Sequence, residues 1–251
     1  MIQSTRYLRS TAQCLAAGVG LGIAAYLSYA GNAWLRYGQA RQPAASDETD
    51  ALLDRFMPEY EVAERHHIPV SAPAAITFAA ATDLDLNQSA MIRAIFKTRE
   101  LFLRARPDGE ARPRALLAQM KALGWGVLAE IPEHEIVMGA ATKPWMANVV
   151  FRALPPDQFA AFHESGYVKI VWTLRADPIG SAESIARTET RVTTTDPTAR
   201  AKFRRYWSFF SPGIIVIRHI SLSLVKKEAE HRARTSESVY AEVTNGNNGC
   251  N

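Results

Sequence analysis

Arg99, Glu130 and His66 are the residues of this chain whose types and settings suit work on a ligand. Arg99 falls on the apolar stripe of a predicted helix, seven residues after Ile92 and three before Phe102. An arginine there has two uses. Its stem can pack while the head escapes at the rim, or its planar fork can take a ligand carboxylate or phosphate. Glu130 and His66 lie in strand-like stretches, and alternation alone does not say which face either one takes. His66 and His67 are neighbours on one strand, so they point to opposite faces and cannot share a metal ion. His134, in Pro-Glu-His-Glu, falls at a hairpin tip and reads as solvated. The row Arg187, Glu189, Arg191 reads as a cross-strand charge ladder on the solvent side. No HExxH, CxxC, GxSxG or phosphate loop occurs in residues 52–232. No catalytic residue, metal site or cofactor is therefore assigned.

The elements that must position these residues are legible in outline. "YEVAERHHIPV" alternates as a first strand. Ser71 is expected to cap a helix over "APAAITFAAATDL", with Pro73 in its first turn. Ser89 caps a second helix, "SAMIRAIFKTRELFLRA", and a third, "RPRALLAQMKALG", stops at Gly124. The period then changes to two. "WGVLAEI" and "EIVMGAAT" flank a hairpin turn, "ANVVFRAL" is a further strand, and "YVKIVWTLRAD" and "ESIARTETRVTTTD" form a second hairpin. Asp196 caps a long final helix with Pro197 at its first position.

That final helix carries Phe203, Trp207, Phe210, Ile214, Ile217, Ile220 and Leu224 at steps of three or four, predicting one stripe toward the interior. Arg204, Arg205, Arg218, Lys226 and Lys227 fall largely off that stripe. Ser211-Pro212-Gly213 interrupts it, predicting a kink, or else two helices joined tightly over a solid core. Trp125, Trp145, Trp172, Tyr206, Trp207, Phe210 and Ile214 are the aromatic and apolar residues placed to line any cavity beneath.

Composition bounds the rest. The chain has 251 residues, 47% hydrophobic and 22% charged, with 29 basic and 25 acidic residues spread along it. With no basic block, a nucleic-acid partner is not expected. Cys14 and Cys250 lie at opposite ends and define no disulfide framework. Residues 14–35 carry no charge, and a helix of about 22 residues just crosses a ~30 Å hydrocarbon core. Tyr26, Tyr29, Trp34 and Tyr37 gather at one end, as membrane-interface aromatics do. A cleaved leader ending at Ala30 is the competing reading. Gly18 and Gly22 form a GxxxG pair that would let two such helices associate as a homodimer. The chain thus divides into a flank (1–13), a transmembrane anchor (14–37), a linker (38–51), one domain (52–232) and a disordered tail (233–251).

The element order is α+β: strand, helices, an antiparallel run, then a long helix. It resembles the helix-grip fold of the SRPBCC superfamily, which includes START-like lipid-transfer and polyketide cyclase/dehydrase-like proteins. The carriers are "MPEYEVAERHHIPVSAPAAITFAAATDLDL", the strands "YVKIVWTLRAD" and "ARTETRVTTTD", and the ending "DPTARAKFRRYWSFFSPG". The anchor and the extra helical stretch at 89–123 depart from minimal members. The resemblance implies a curved antiparallel sheet wrapped around a C-terminal helix, enclosing an apolar cavity. The expected function is a membrane-anchored binder of a hydrophobic small molecule such as a lipid, quinone or polyketide-like compound. Alternatives are a cyclase, dehydratase or hydrolase using that pocket, and a tethered interaction module without a ligand.

Overall fold

The computed structural model describes residues 2–39, 49–105 and 113–247. The linker expected at 38–51 lies mostly outside them. Six strands form one open antiparallel sheet: β1 (Val62–Val70), β2 (Gly126–Ile131), β3 (Glu135–Thr142), β4 (Phe151–Arg152), β5 (Val168–Pro178) and β6 (Ser184–Thr194), in the order β1-β6-β5-β3-β2 with β4 also on β3. The helices are α1 (Ile2–Arg36), α2 (Ala51–Asp54), α3 (Ala74–Thr82), α4 (Ala90–Leu103), α5 (Leu116–Ala122), α6 (Pro156–Phe159) and α7 (Pro197–Asn247). A long C-terminal helix laid on a curved antiparallel sheet is the helix-grip arrangement, as the sequence implied.

Register decides what each face carries. Val62 opposes Val192, His66 opposes Thr188 and Trp172 opposes Thr190, so these residues share the inner face. There α3 and α7 pack on Ile136, Met138, Trp172, Leu174 and Ala186 through Phe78, Ala81, Leu222, Val225 and Ala229. The outer face has its own core, in which Leu53, Phe56, Met57, Leu154 and Phe159 cover Leu128, Val137 and Val171. Gly139 on β3 is the close approach there: an added Cβ would lie 2.5 Å from Leu128 and 2.9 Å from Phe159.

Most caps are local chemistry that the sequence declares. Ser89 accepts from the Ile92 N–H at 3.3 Å, and Asp196 accepts from Thr198 and Ala199 at 2.8 and 2.9 Å. Three expectations change. The cap position of α3 is Pro73, whose fixed φ suits the turn, and Ser71 lies outside the helix. "ANVVFRAL" contributes only the two residues of β4. The third is α7, which is one helix through Pro212 and continues to Asn247, so the segment from Ala233 to Asn247 is helical.

The segment read as an anchor has partners within the domain. The C-terminal end of α1 is docked on α7: Ala30 and Tyr37 are buried, and Tyr37 packs in one cluster with Phe203 and Trp207. Tyr37 also donates to Glu61, whose carbonyl accepts from the Gly38 N–H. By length and composition α7 is itself apolar enough to cross a membrane (Pro197–Ser236). Its contacts with the sheet and α3 make it the core helix of this domain.

Candidate functional site

The Ser-Pro-Gly triplet marks the place where α7 is gripped from both sides. Proline removes an N–H and turns the carbonyls one turn earlier outward. Tyr26 of α1 donates to one of these, the Phe209 carbonyl, and the Tyr29 hydroxyl lies 3.4 Å from the buried Ser211 hydroxyl. On the other flank Gly213 lets α4 approach: a Cβ there would lie 3.0 Å from Ile95.

Five residues along the helix, Arg218 faces the sheet. Its guanidinium donates to Thr190 at 2.7 Å and Thr188 at 3.4 Å and lies over the Trp172 ring at 5.8 Å. Among the described residues no carboxylate comes within ion-pair distance of it. Burial pulls its pKa down to about 10, with the more distant Glu64 opposing that shift, so it stays charged at neutral pH. Next to Thr188 across the strand pair is His66. Its ring meets His219 of α7 edge-on at 4.8 Å. Its Nε2 is buried without a hydrogen-bond partner, 3.6 Å from the Glu64 carboxylate. Arg218, His66, Glu64 and two threonines thus form a polar patch on an otherwise apolar inner face, between the β1 edge and α7. It offers a fixed cation, a histidine within reach of a carboxylate, and hydroxyls to orient a ligand oxygen.

The residues expected from the sequence fall into separate places. Arg99 donates to the Pro144 carbonyl at 3.0 Å and to the Tyr206 hydroxyl at 3.4 Å, tying α4 to α7 and to the loop after β3. Tyr206 stacks on Phe210 at 4.9 Å, and Trp145, Ile214 and Trp207 join the neighbouring cluster with Val62, Val168 and Val192. Trp172 and Trp125 meet edge-on at 6.1 Å, which brings Trp125 into the core beside Arg218's ring partner. Glu130 has the inner register opposite Ile136 but is exposed on the edge strand β2, with no part in this patch.

Arg218 is the residue that sequence reasoning missed. The apolar stripe steered it off the interior, yet the buried positions of α7 run Phe203, Trp207, Ser211, Leu222, Val225, Ala229. Arg218 falls in step with that row, seven residues (two turns) after Ser211 and four before Leu222. The available signal was spacing from the buried ends of the helix, and the polar residues at 211 and 218 concealed it.

The expected charge ladder on the outer face is real, but it is buried beneath the segment that carries α2. Arg191 binds Glu189 at 2.6 Å and also Asp54, and Arg65 binds Glu189 at 2.7 Å. Arg187 and Arg175 both hold Asp177, at 2.7 and 3.0 Å. Burial, with the Asp50 carboxylate beside it, pushes the Glu135 carboxyl up to about 8, and Arg175 opposes this. These groups pair with one another, although one Glu135 carboxyl oxygen is buried without a hydrogen bond, and their chemistry is that of a clamp.

Each face of the sheet has a small space beside these groups. The outer network surrounds about 30 Å³ between Asp50, Arg65, Arg187 and Glu189. Beneath α7, Phe78, Leu174, Leu222 and Val225 leave about 20 Å³. Each holds about one water, where small-molecule sites span roughly 300–1,000 Å³.

No family model matches this sequence, and no curated protein does. Similar solved structures include a START superfamily protein from Mycobacterium smegmatis, 12% identical, covering 69% of this chain and 97% of that one, with a TM-score of 0.28. Another is norcoclaurine synthase from Thalictrum flavum in complex with dopamine and hydroxybenzaldehyde, 10% identical over 76% of this chain and 98% of that one, TM-score 0.32. Overlaps this loose bear no weight, and the helix-grip assignment rests on strand order, register and the placement of α7.

Proposed function

We propose that the protein binds an amphipathic small molecule with an acidic group beneath α7, at a membrane to which α1 tethers it. One observation carries this reading: Arg218 is turned onto the inner face with two threonine hydroxyls and a tryptophan ring, and among the described residues no carboxylate lies within ion-pair distance of it. A buried cation is costly unless paired, so a ligand carboxylate or phosphate would relieve it. The tail of such a ligand gains roughly 0.8 kcal/mol for each methylene taken from water. Entry requires side chains to part, and we place it at the seam between α4 and α7, which Arg99–Tyr206 and Ile95–Gly213 hold.

The test uses the full chain, purified in a mild detergent and analysed by native mass spectrometry with organic extraction. Wild type is expected to carry an acidic amphiphile, and Arg218→Met to retain at least about tenfold less, one order of magnitude corresponding to about 1.4 kcal/mol. An unloaded wild type that also takes up no added long-chain fatty acid, or equal retention by the variant, overturns the reading.

A second reading rests on His66 and Glu64 lying beside Arg218. A histidine within reach of a carboxylate and opposite a cation is a recurring acid–base arrangement, which would make the bound molecule a substrate of a cyclase, dehydratase or hydrolase. Conversion of a bound acidic amphiphile that His66→Gln abolishes without lowering retention would establish it.

A further inference from the structure

Three helices lie side by side with α7 in the middle. Tyr26 and Tyr29 of α1 reach Phe209 and Ser211 on one flank of α7, while Ile95 and Arg99 of α4 meet Gly213 and Tyr206 on the other. The row of α7 left outward between them contains Phe209 and Val216, 48% and 41% exposed. The flanking helices expose large apolar side chains as well, Leu27 of α1 and Phe96, Leu101 and Phe102 of α4, the last two 78% and 75% exposed. Exposed apolar side chains concentrated on three adjoining helices mark a contact with something apolar.

Charge says what that is. Of the 25 acidic residues in the chain, only Glu100 lies within α1, α4 or residues 197–227 of α7. The same helices hold Arg36, Arg93, Lys97, Arg204 and Arg205. Arg204 also donates to the Trp34 carbonyl at 2.9 Å and stacks over the Trp34 ring at 4.2 Å, a cation–aromatic pairing suited to the headgroup level. A second copy of this chain would bring like charges together across a two-fold axis. An anionic lipid surface complements both the apolar row and its basic surroundings.

We propose that α1, the outward row of α7 and α4 form one face that seats on an anionic bilayer. Phe96, Leu101, Phe102, Phe209 and Val216 enter the acyl boundary, and Arg93, Lys97, Arg204 and Arg205 meet headgroup phosphates. The proposal extends the tether reading of α1 and is independent of any ligand beneath α7. The domain lies on its membrane, with the α4–α7 seam toward the lipid.

The test uses the full chain with Cys14→Ser and Cys250→Ser and an environment-sensitive fluorophore at Phe102→Cys, Val216→Cys or Ile179→Cys. Ile179 is the water reference, 59% exposed beyond β5. Each protein is reconstituted into phosphatidylcholine vesicles with or without phosphatidylglycerol, carrying spin-labelled lipid as quencher, after circular dichroism shows unchanged helix content. Labels at 102 and 216 are expected to shift to the blue and be quenched at least about threefold more in anionic vesicles, with 179 unquenched throughout. Labels at 102 and 216 that behave like 179 in vesicle-bound protein overturn the face while leaving the tether intact. Equal quenching in both vesicle types overturns the anionic lipid. A blue shift that grows with protein concentration in detergent, without vesicles, assigns the face to a second copy instead.

Discussion

Arg191 is buried to 1% exposure and holds Glu189, Asp54 and the Met57 carbonyl, the last at 2.9 Å. Removing it leaves Glu189 buried with one of its two arginines gone. Arg191→Ala should therefore cost roughly 3–5 kcal/mol, read by urea unfolding, and a loss below about 1 kcal/mol would show the network to be solvent-relaxed. Glu135 behaves oppositely. Its folded pKa, about 8, lies above its ordinary 4.5, because burial and the neighbouring Asp50 favour the protonated form. The folded state then holds a proton that the unfolded chain gives up, so the stabilisation is complete below about pH 4.5 and is lost as pH rises through about 8. Glu135→Gln should flatten that decline. Parallel pH–stability curves for variant and wild type between these limits would mean that another group sets it.

At the scale of elements, α7 works as a rail to which other helices attach at one point. Gly213 is where α4 attaches, and two effects compete in Gly213→Ala. The alanine gains about 1 kcal/mol of helix propensity, while its Cβ meets the Ile95 methyl at 3.0 Å. A flexible methyl can yield by tenths of an ångström, so Gly213→Ala is expected to be near neutral. Gly213→Leu cannot be absorbed that way and should cost about 1–3 kcal/mol. Hydrogen exchange should then quicken in α4 but not in β5; unchanged α4 protection would show that Arg99 alone holds the helix. On the other flank, the aromatic docking of α1 through Tyr37 joins the N-terminal segment to the core.

The whole molecule consists of one sheet with a core on each face, and α1 completes one of them. Cutting the chain before residue 49 exposes Phe203 and Trp207, which Tyr37 covers. Losing a buried aromatic of this size costs roughly 3 kcal/mol, or about 6–12 °C of melting temperature for a domain of this length. A fragment spanning residues 49–247 should melt lower than the full chain by that amount in the same detergent. Melting within about 2 °C of it would make α1 a mere tether.

Much of this architecture is local and therefore readable in the sequence. Alternation in "YVKIVWTLRAD", the Ser89 and Asp196 caps and the final apolar helix follow from backbone periodicity and side-chain hydrogen bonding within a few residues. The opposite placement of His66 and His67 follows from strand geometry alone. Facing across distance is not local. That the Glu189–Arg191 row is buried depends on α2, more than a hundred residues earlier, folding over it. That Ser-Pro-Gly is a junction depends on which helices arrive beside it. That Arg218 points inward was decided by the register of α7 on the sheet, because Ser211 and Arg218 keep step with the buried positions although they are polar. Periodicity names a helix's apolar face, and packing alone settles which polar residues that face carries with it.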